Sequence, residues 1–363
     1  MDKKSLGRRN FLKMVGLTAL GTAGACAAPR IIETPTPAVT PQPMIPMFPT
    51  DSAASTSAPA PTDSLTATAE PTTAAVVPGA WKRVLRIAHM TDWHVLPIAG
   101  VEEGMIRALR HAQQQADPPD IIFNTGDCVM DSLHTAKDKV ETEWEIFKSV
   151  LSNECKLPVV HAIGNHDVWA WGIADEWIHD DPDYGKNMAL KQLGLEHRYY
   201  SFDQAGWHFV VLDSVYPRNA VSKEAYIGQL DDEQHKWLVN DVESVSQAGN
   251  TPICILSHIP ILSACEYFDG PNEQSGNWVV PASWMHIDAR KFRALFLKSP
   301  NVKLCLSGHS HQYESLDYMG VRYITSGAVS GGWWRGAYMG FPPAYVMINL
   351  YSDGTADSEF VKY

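Results

Sequence analysis

The sequence predicts a layered α/β fold on the basis of two observations. Between residues 84 and 163, apolar runs typical of strands alternate with segments of helical spacing. This alternation is typical of a sheet with helices packed on its faces. In addition, five apolar runs along the chain each end in Asp, His or Asn side chains. In open α/β folds ligands bind at the carboxyl ends of strands, so we expect these side chains to meet in one crevice.

The first part of this region has the more regular pattern. It contains predicted strands over 84–90, 121–123 and 157–163, which alternate with predicted helices over 102–116 and 139–152. In the first helix Met105, Ile106, Leu109 and Ala112 recur at helical spacing. Residues 169–185 contain three tryptophans and an acidic run, and they are predicted to form a long loop or cap.

The second part is less regular. It contains predicted strands over 198–202, 207–213, 253–256, 302–306, 313–319, 321–326, 344–350 and 357–362, and predicted helices over 230–245 and 288–297. Asp231-Asp232 opens the first of these helices, and Asp288 is predicted to be the N-cap of the second. A glycine-aromatic loop, Gly331–Gly336, lies between the last strands.

Composition and charge narrow the classes of function. The chain has 363 residues, of which 45% are hydrophobic, which is enough for a large core. Its net charge is −12, and removal of the five positive charges and one negative charge of residues 1–25 leaves about −16. Long nucleic acids are therefore excluded as expected partners, because their binding depends on dense Lys/Arg contacts to phosphate.

The six cysteines do not form a C-x-x-C pair, which argues against a zinc knuckle or a thioredoxin-like site. Cys128, Cys254 and Cys305 lie in or beside apolar runs and are predicted to be small buried hydrophobes. The spacing leaves open whether the later cysteines form a disulfide.

The N-terminal segment resembles an export signal. Arg8-Arg9 followed by Phe11-Leu12-Lys13 resembles the twin-arginine motif, and the apolar stretch 14–25 is too short to span a membrane. The resemblance implies that the twin-arginine export machinery, which carries folded proteins, is a partner. We therefore expect residues 1–28 to be a signal peptide and the mature protein to be periplasmic or on the cell surface.

Ala23-Gly24-Ala25-Cys26 resembles a lipobox, although Ala replaces the usual Leu. Lipidation of Cys26 and plain cleavage both stay open, and a lipid there would be the only contact with the membrane. Residues 29–80 are rich in Pro, Thr, Ser and Ala, and such a segment cannot bury enough apolar surface to fold. They are predicted to form a disordered tether, with the folded domain spanning residues 81–363.

The side chains at the strand ends have the composition of a metal site. The candidate ligands are Asp92, His94, Asp127, Asn165, His258, His309 and His311. Carboxylate oxygen, amide oxygen and imidazole nitrogen together suit Mn, Fe or Zn better than Ca or Mg. Residues i and i+2 of an extended segment point to the same face, so Asp92/His94 and His309/His311 can each direct two donors at one centre. Each fragment alone could also be an ordinary turn or a structural histidine.

In combination, these fragments resemble the calcineurin-like metallophosphoesterase superfamily, whose signature is D-x-H, G-D, G-N-H-[DE], a lone His and G-H-x-H. The resemblance implies a four-layer α/β/β/α sandwich with two mixed β-sheets and two metal ions. Asp92, His94, Asp127 and His311 would hold one metal, and Asp127, Asn165, His258 and His309 would hold the second. A hydroxide bridging the metals would attack phosphorus. His166 would offset charge and protonate the leaving group, with Asp167 as its orienting partner.

Finer features favour one branch of this superfamily. Asp92-Trp93-His94 has a histidine where purple acid phosphatases have glycine, and the tyrosine that those enzymes place after G-D is replaced by Met130. Segments 199–202, 207–213 and 228–238 resemble the class III cyclic nucleotide phosphodiesterase-like branch. The expected function is hydrolysis of a small phosphodiester, with a nucleotide as one candidate. A phosphate-scavenging phosphomonoesterase or nucleotidase and a non-catalytic nucleotide-binding lipoprotein are the alternatives.

Several aromatic residues near the motifs have two interpretations. Trp93, Trp169, Trp171, Trp333 and Trp334 could stack on a substrate or pack the domain. Arg335, beside the last pair, could meet a phosphate or lie on the surface.

Overall fold

The computed structural model describes residues 82–218 and 225–363. The predicted signal peptide, Cys26, the predicted tether and Trp81 lie outside these residues. Within the described part of the chain, no helix has the length and apolar character needed to cross a bilayer.

The described residues contain thirteen strands and five α-helices. The strands are β1 (Arg83–His89), β2 (Ile121–Asn124), β3 (Val159–His161), β4 (Tyr200–Gln204), β5 (Trp207–Val211), β6 (Val215–Pro217), β7 (Tyr226–Gly228), β8 (Ile253–Leu256), β9 (Val302–Ser307), β10 (Tyr313–Tyr318), β11 (Val321–Ser326), β12 (Ala344–Tyr351) and β13 (Ala356–Lys362). The helices are α1 (Val101–Gln113), α2 (Lys137–Glu154), α3 (Asn187–Leu193), α4 (Asp232–Ala248) and α5 (Ala289–Lys298).

The strands form two mixed sheets. Sheet 1 has the order β13-β12-β1-β2-β3, and its β1, β2 and β3 are parallel while β12 is antiparallel to both of its neighbours. Sheet 2 has the order β10-β11-β9-β8-β5-β4, with parallel central strands and an antiparallel strand at each edge. The predicted pair of mixed sheets is therefore confirmed.

Alternation of side chains along the strands produces the layers. In β1, Ile87 packs between the two sheets while its neighbour Ala88 packs with helices α1 and α2. In β5, Phe209 points to the space between the sheets while Val210 packs with α4 and α5. Helices thus cover the outer face of each sheet, and the predicted four-layer α/β/β/α sandwich is confirmed.

The sequence pattern missed some short elements. Helix α3 follows the predicted loop 169–185, and the hairpin of β6 and β7 was not predicted. Strands of three residues and a helix of seven contain too few residues to show a clear hydrophobic period.

The capping prediction for Asp288 is right in position but wrong in mechanism. Asp288 precedes α5, yet its side chain does not cap that helix. Its Oδ2 accepts from the backbone N–H of Leu230 at 3.1 Å, and its Oδ1 accepts from His286 Nδ1 at 2.8 Å. The carboxylate therefore joins the start of α5 to the segment before α4.

The predicted burial of three cysteines is confirmed. Cys128, Cys254 and Cys305 are buried and free, and Cys155 and Cys265 are also unpaired. Among the described residues no disulfide is formed.

Candidate metal centre

The carboxyl ends of five strands meet where the two sheets approach each other. Asp92 and His94 follow β1, Asp127 follows β2, Asn165 follows β3, His258 follows β8, and His309 and His311 follow β9. Because β1, β2 and β3 are parallel neighbours, as are β8 and β9, their ends lie side by side. The structure thus brings all seven predicted ligands together.

One group of donors is formed by Asp92, His94 and His311. The Nε2 atoms of the two histidines lie 2.9 Å apart. Asp92 Oδ1 lies 3.4 Å from His311 Nε2 and 3.9 Å from His94 Nε2. All three side chains are at most 3% exposed, so these polar atoms are shielded from bulk solvent.

A second group contains Asp127, Asn165, His258 and His309. His258 Nε2 lies 2.9 Å from Asn165 Oδ1, 3.2 Å from His309 Nδ1 and 3.3 Å from Asp127 Oδ2. Asp127 Oδ2 also lies 3.7 Å from His94 Nε2. Asp127 therefore lies between the two groups.

The outer nitrogens of three histidines fix which nitrogen faces the centre. His258 Nδ1 donates to the carbonyl of Thr125 at 3.0 Å, His309 Nε2 donates to Ser283 at 3.0 Å, and His311 Nδ1 donates to Gly331 at 2.7 Å. A carbonyl only accepts, so each of these nitrogens carries the proton. In the neutral rings the remaining lone pairs point at one another, an arrangement that a cation stabilises.

Backbone conformation also marks these residues. Asp92, His94, Asp127, His309 and His311 all have φ between 45° and 71°. L-residues with side chains rarely adopt this left-handed region, and such strain clusters at functional sites. The turns after the strands therefore hold five of the seven donors in unfavourable backbone geometry.

Close packing requires glycine next to two of these turns. A Cβ on Gly164 would lie 2.2 Å from Asp127 Oδ1, and a Cβ on Gly308 would lie 2.3 Å from Asp92 Oδ2. The glycines of the G-N-H and G-H-x-H fragments thus leave room for the carboxylates.

The charges of the candidate centre favour cations. Burial opposes ionisation of Asp127, but His258 and His166 outweigh it and hold the Asp127 pKa well below its usual value. Burial also opposes ionisation of Asp92, while His311 lowers the Asp92 pKa to about 2. Burial disfavours the charged form of His258, but Asp127 raises the His258 pKa to about 9. A proton on His258 Nε2 thus takes the position that a metal would occupy, and the donor set fits the two predicted ions.

His166 lies beside both groups, but its orienting partner differs from the prediction. Its ring is 4.7 Å from the His94 ring, and its Nδ1 donates to the carbonyl of Met130. The Asp167 carboxylate is instead occupied by the backbone, because it accepts from the N–H groups of Asp127, Cys128 and Gly164 at 2.8–2.9 Å. The predicted role of Asp167 is therefore wrong, because adjacent side chains of this turn point in different directions.

A comparison with protein families identifies the arrangement. Residues 85–313 match the family model described as Calcineurin-like phosphoesterase. The chain belongs to this family. It is accordingly a metal-dependent phosphoric ester hydrolase, as the sequence predicted.

The chain is also distantly similar to two curated phosphodiesterases. The phosphoesterase is 23% identical over 286 residues to a 3',5'-cyclic-nucleotide phosphodiesterase of Nostoc sp., covering 76% of this chain and 91% of that protein. It is also 23% identical over 260 residues to the 3',5'-cyclic adenosine monophosphate phosphodiesterase CpdA of Escherichia coli, covering 69% and 78% of the two chains.

Among solved structures, a dimetal phosphatase from Danio rerio has the same fold. The TM-score is 0.53 at 14% identity, with 78% of this chain and all of that chain covered. A similarity at this identity shows the fold, and the dimetal site of this phosphoesterase is supported by its own donor groups.

A pocket of about 180 Å³ opens onto the candidate centre of the phosphoesterase. Its lining includes five residues that the sequence motifs did not indicate: Tyr226, Glu266, Asp269, Trp284 and Tyr338. Most of them lie in the irregular segment between β8 and α5 or in the loop before β12, where no periodic pattern or metal motif exists. The only available signal was the acidic and aromatic run of residues 266–269.

Some of the tryptophans near the motifs pack inside the domain, and one lines the pocket. Trp93 and Trp169 are buried in the core, and Trp334 donates from Nε1 to the carbonyl of Trp93 at 2.8 Å. Trp333 lines the pocket, with its ring 4.5 Å from that of His311. Arg335 is exposed and is not part of the pocket lining.

Proposed function

We propose that this phosphoesterase hydrolyses small phosphodiesters at the pocket that opens onto Asp127. The observation that carries the proposal is the convergence of seven oxygen and nitrogen donors on two groups that share Asp127. We propose Asp92, His94, Asp127 and His311 as ligands of one metal, and Asp127, Asn165, His258 and His309 as ligands of the other. Mn, Fe and Zn suit this donor set.

Two bound metal ions would lower the pKa of a water molecule and neutralise negative charge on the phosphoryl oxygens. Contacts within the chain hold His166 in place beside the candidate centre. Asp127 Oδ1 accepts from the backbone N–H of His166 at 2.8 Å, which fixes the turn that carries His166. Met130 fixes the other side of the His166 ring by accepting from Nδ1.

His166 is the proposed proton donor. Its ring lies against His94 and lines the pocket, where an ester oxygen would leave. In the reaction, a water molecule loses one proton to solvent as its oxygen forms a bond to phosphorus, the ester P–O bond breaks, and the departing alkoxide takes a proton from His166, which regains one from solvent. The products are a phosphomonoester and an alcohol.

The charge of the pocket favours a diester over a monoester. Glu266 and Asp269 make the lining acidic, and no lysine or arginine is among the described residues that line it. A monoester carries an additional negative charge that these carboxylates would repel, whereas a diester carries only one. Both curated relatives named above are phosphodiesterases, which agrees with this choice.

Replacement of Asp127 tests the proposal. Because Asp127→Asn removes the charge that both metal groups share, we expect kcat/KM for bis-(p-nitrophenyl) phosphate to fall by about 10³-fold or more in the Mn-loaded domain. Asp138→Asn makes the same chemical change at an exposed position of α2 and should behave as wild type. Equal rates for wild type and Asp127→Asn, or faster turnover of p-nitrophenyl phosphate than of the diester, would contradict the proposal.

We also propose that the chain is exported by the twin-arginine route and held on a tether at the cell surface or in the periplasm. The support is the Arg8-Arg9 motif and the composition of residues 29–80. In a bacterium with this export system, Arg8→Lys with Arg9→Lys should retain the full-length protein in the cytoplasmic fraction. Because these substitutions keep the positive charge, Lys3→Arg with Lys4→Arg is the matched control and should leave export unchanged. Cys26→Ala should release the protein from the membrane fraction if lipidation anchors it, and unchanged export of the double arginine variant would refute the route.

A further inference from the structure

Glu266 is a buried carboxylic acid in the wall of the pocket, and one of its two oxygens has no partner. The residue is 1% exposed, and its Oε1 has no hydrogen-bond partner in the structure. A buried carboxyl oxygen without a hydrogen bond is costly, and a bound ligand is one way in which such an atom gains a partner. Because Glu266 lines the pocket, the missing partner would enter from there.

Other charges near Glu266 make the wall more negative. Asp269 lines the same pocket, and both of its carboxylate oxygens accept from the hydroxyl of Tyr338 at 2.9 Å. Burial, followed by the negative charges of Asp269 and Glu314, raises the pKa of Glu266 to about 8. A positive group placed beside Glu266 would relieve this repulsion.

Aromatic rings form a corner next to these acids. Trp333 and Tyr338 line the pocket with ring centroids 5.2 Å apart and planes at 81°. Trp284 lines the pocket as well. Aromatic faces attract ammonium groups, most strongly where water is excluded. Acidic and aromatic groups together are thus suited to an organic cation.

We propose that the wall formed by Glu266, Asp269, Trp333 and Tyr338 is a subsite for a positively charged alcohol, an ammonium-bearing group esterified to the phosphate. The proposal rests on the proposed function, since it assigns the substrate class of the same pocket. The phosphate would face the candidate metal centre, and the ammonium group would lie against the carboxylate of Glu266.

The size of the pocket agrees with a small substituent. Its volume of about 180 Å³ lies below the roughly 300–1,000 Å³ of common ligand pockets. The acidic wall would also repel the second phosphate of a nucleoside diphosphate. A compact aminoalcohol ester therefore suits the site better than a polyphosphorylated nucleotide.

A pair of matched substrates tests the charge directly. p-Nitrophenylphosphorylcholine and p-nitrophenyl 3,3-dimethylbutyl phosphate differ in that a quaternary nitrogen replaces a carbon. For the Mn-loaded wild-type domain we expect kcat/KM to be about 10-fold higher for the cationic ester. At pH 9, where the Glu266 carboxyl is ionised, Glu266→Gln keeps the shape and removes the charge, and it should reduce this ratio to about 2 or less. Glu273→Gln, an exposed residue of the same loop region, should retain the wild-type ratio.

Binding of choline, which contains no phosphorus, separates this inference from the proposed function. Calorimetric titration should show choline binding to wild type and Glu273→Gln that is lost in Glu266→Gln. If no diester is hydrolysed but this pattern is observed, the phosphodiesterase proposal fails and the cation subsite stands. A kcat/KM ratio near 1 in wild type, or an unchanged ratio in Glu266→Gln, overturns the subsite. Choline binding that is as tight in Glu266→Gln as in wild type also overturns it.

The same cation can be presented by a soluble diester or by a lipid. Glycerophosphocholine and vesicles of phosphatidylcholine carry the same headgroup, and release of choline or phosphocholine from each identifies the source. Turnover of either one supports the subsite. Turnover of neither, together with a ratio near 1 for the chromogenic pair, overturns it.

Discussion

Gly308 is one of two glycines beside carboxylates of the candidate centre that leave no room for a side chain. It precedes His309 and His311, and its position allows the backbone N–H of His309 to donate to Asp92 Oδ2 at 3.0 Å. The same carboxylate oxygen and Thr91 Oγ1 would each lie 2.3 Å from a Cβ at this position. A methyl group here must displace Asp92, which contributes to the first metal group.

Gly308→Ala should therefore reduce both stability and metal content. We expect a loss of about 1–3 kcal/mol in the free energy of unfolding, which is the usual cost of overpacking, and a lower metal-to-protein ratio after dialysis. Gly249→Ala is the matched control, because a Cβ there meets nothing within 4 Å and its φ of 162° is open to any residue. Wild-type unfolding and metal content in Gly308→Ala would show that Asp92 is not held by this contact.

At the scale of secondary-structure elements, His208 joins two strands of sheet 2 to helix α4. It lies on β5, and its Nδ1 and Nε2 are 2.7 Å from Asp203 Oδ1 on β4 and 2.9 Å from Asp241 Oδ2 on α4. Burial disfavours the charged ring, but Asp241 and Asp203 outweigh it and raise the His208 pKa. The histidine thus ties an edge strand and a covering helix to the sheet when it is protonated.

The pH dependence of this link has a defined sign. A pKa raised in the folded state means that folding binds a proton, so the stabilisation is present below the unfolded pKa of about 6.5 and is lost as pH rises through the higher folded pKa. His208→Gln should therefore cost more stability at pH 5.5 than at pH 8.5. Urea unfolding of wild type and variant at both pH values measures this difference, and an equal cost at the two values would rule out the protonated link.

The elements that the sequence predicted are those with repeated side-chain patterns. Side chains of strands such as β1 and β9 alternate between two buried faces, and motif residues follow each strand. The sequence therefore predicted both the strands and the functional residues at their ends. By contrast, Glu266 and Asp269 reach the pocket through irregular backbone, and contacts of this kind depend on tertiary structure alone. The direction of Asp167 could not be read for a related reason, since spacing does not define side-chain direction in a tight turn.

At the scale of the whole molecule, the candidate centre connects the two sheets. Asp92, His94, Asp127 and Asn165 follow strands of sheet 1, and His258, His309 and His311 follow strands of sheet 2. Each of the two proposed metal sites takes ligands from both sheets. Metal ions would therefore act as cross-links between the two halves of the sandwich as well as supplying Lewis acidity.

Removal of metal should consequently lower the thermal stability of the whole domain. An ion present at 100 times its dissociation constant stabilises the folded state by about 2.7 kcal/mol, which corresponds to a decrease in Tm of about 5–10 °C when it is removed from a domain of this size. Differential scanning calorimetry of the Mn-loaded and chelator-treated domain measures the shift. Asp127→Asn should show a much smaller shift because both sites lose their shared carboxylate, whereas Asp138→Asn should show the full wild-type shift. If chelation leaves the Tm of the wild type unchanged, then metal ions do not connect the sheets, and the seven donors must be held together by protein contacts alone.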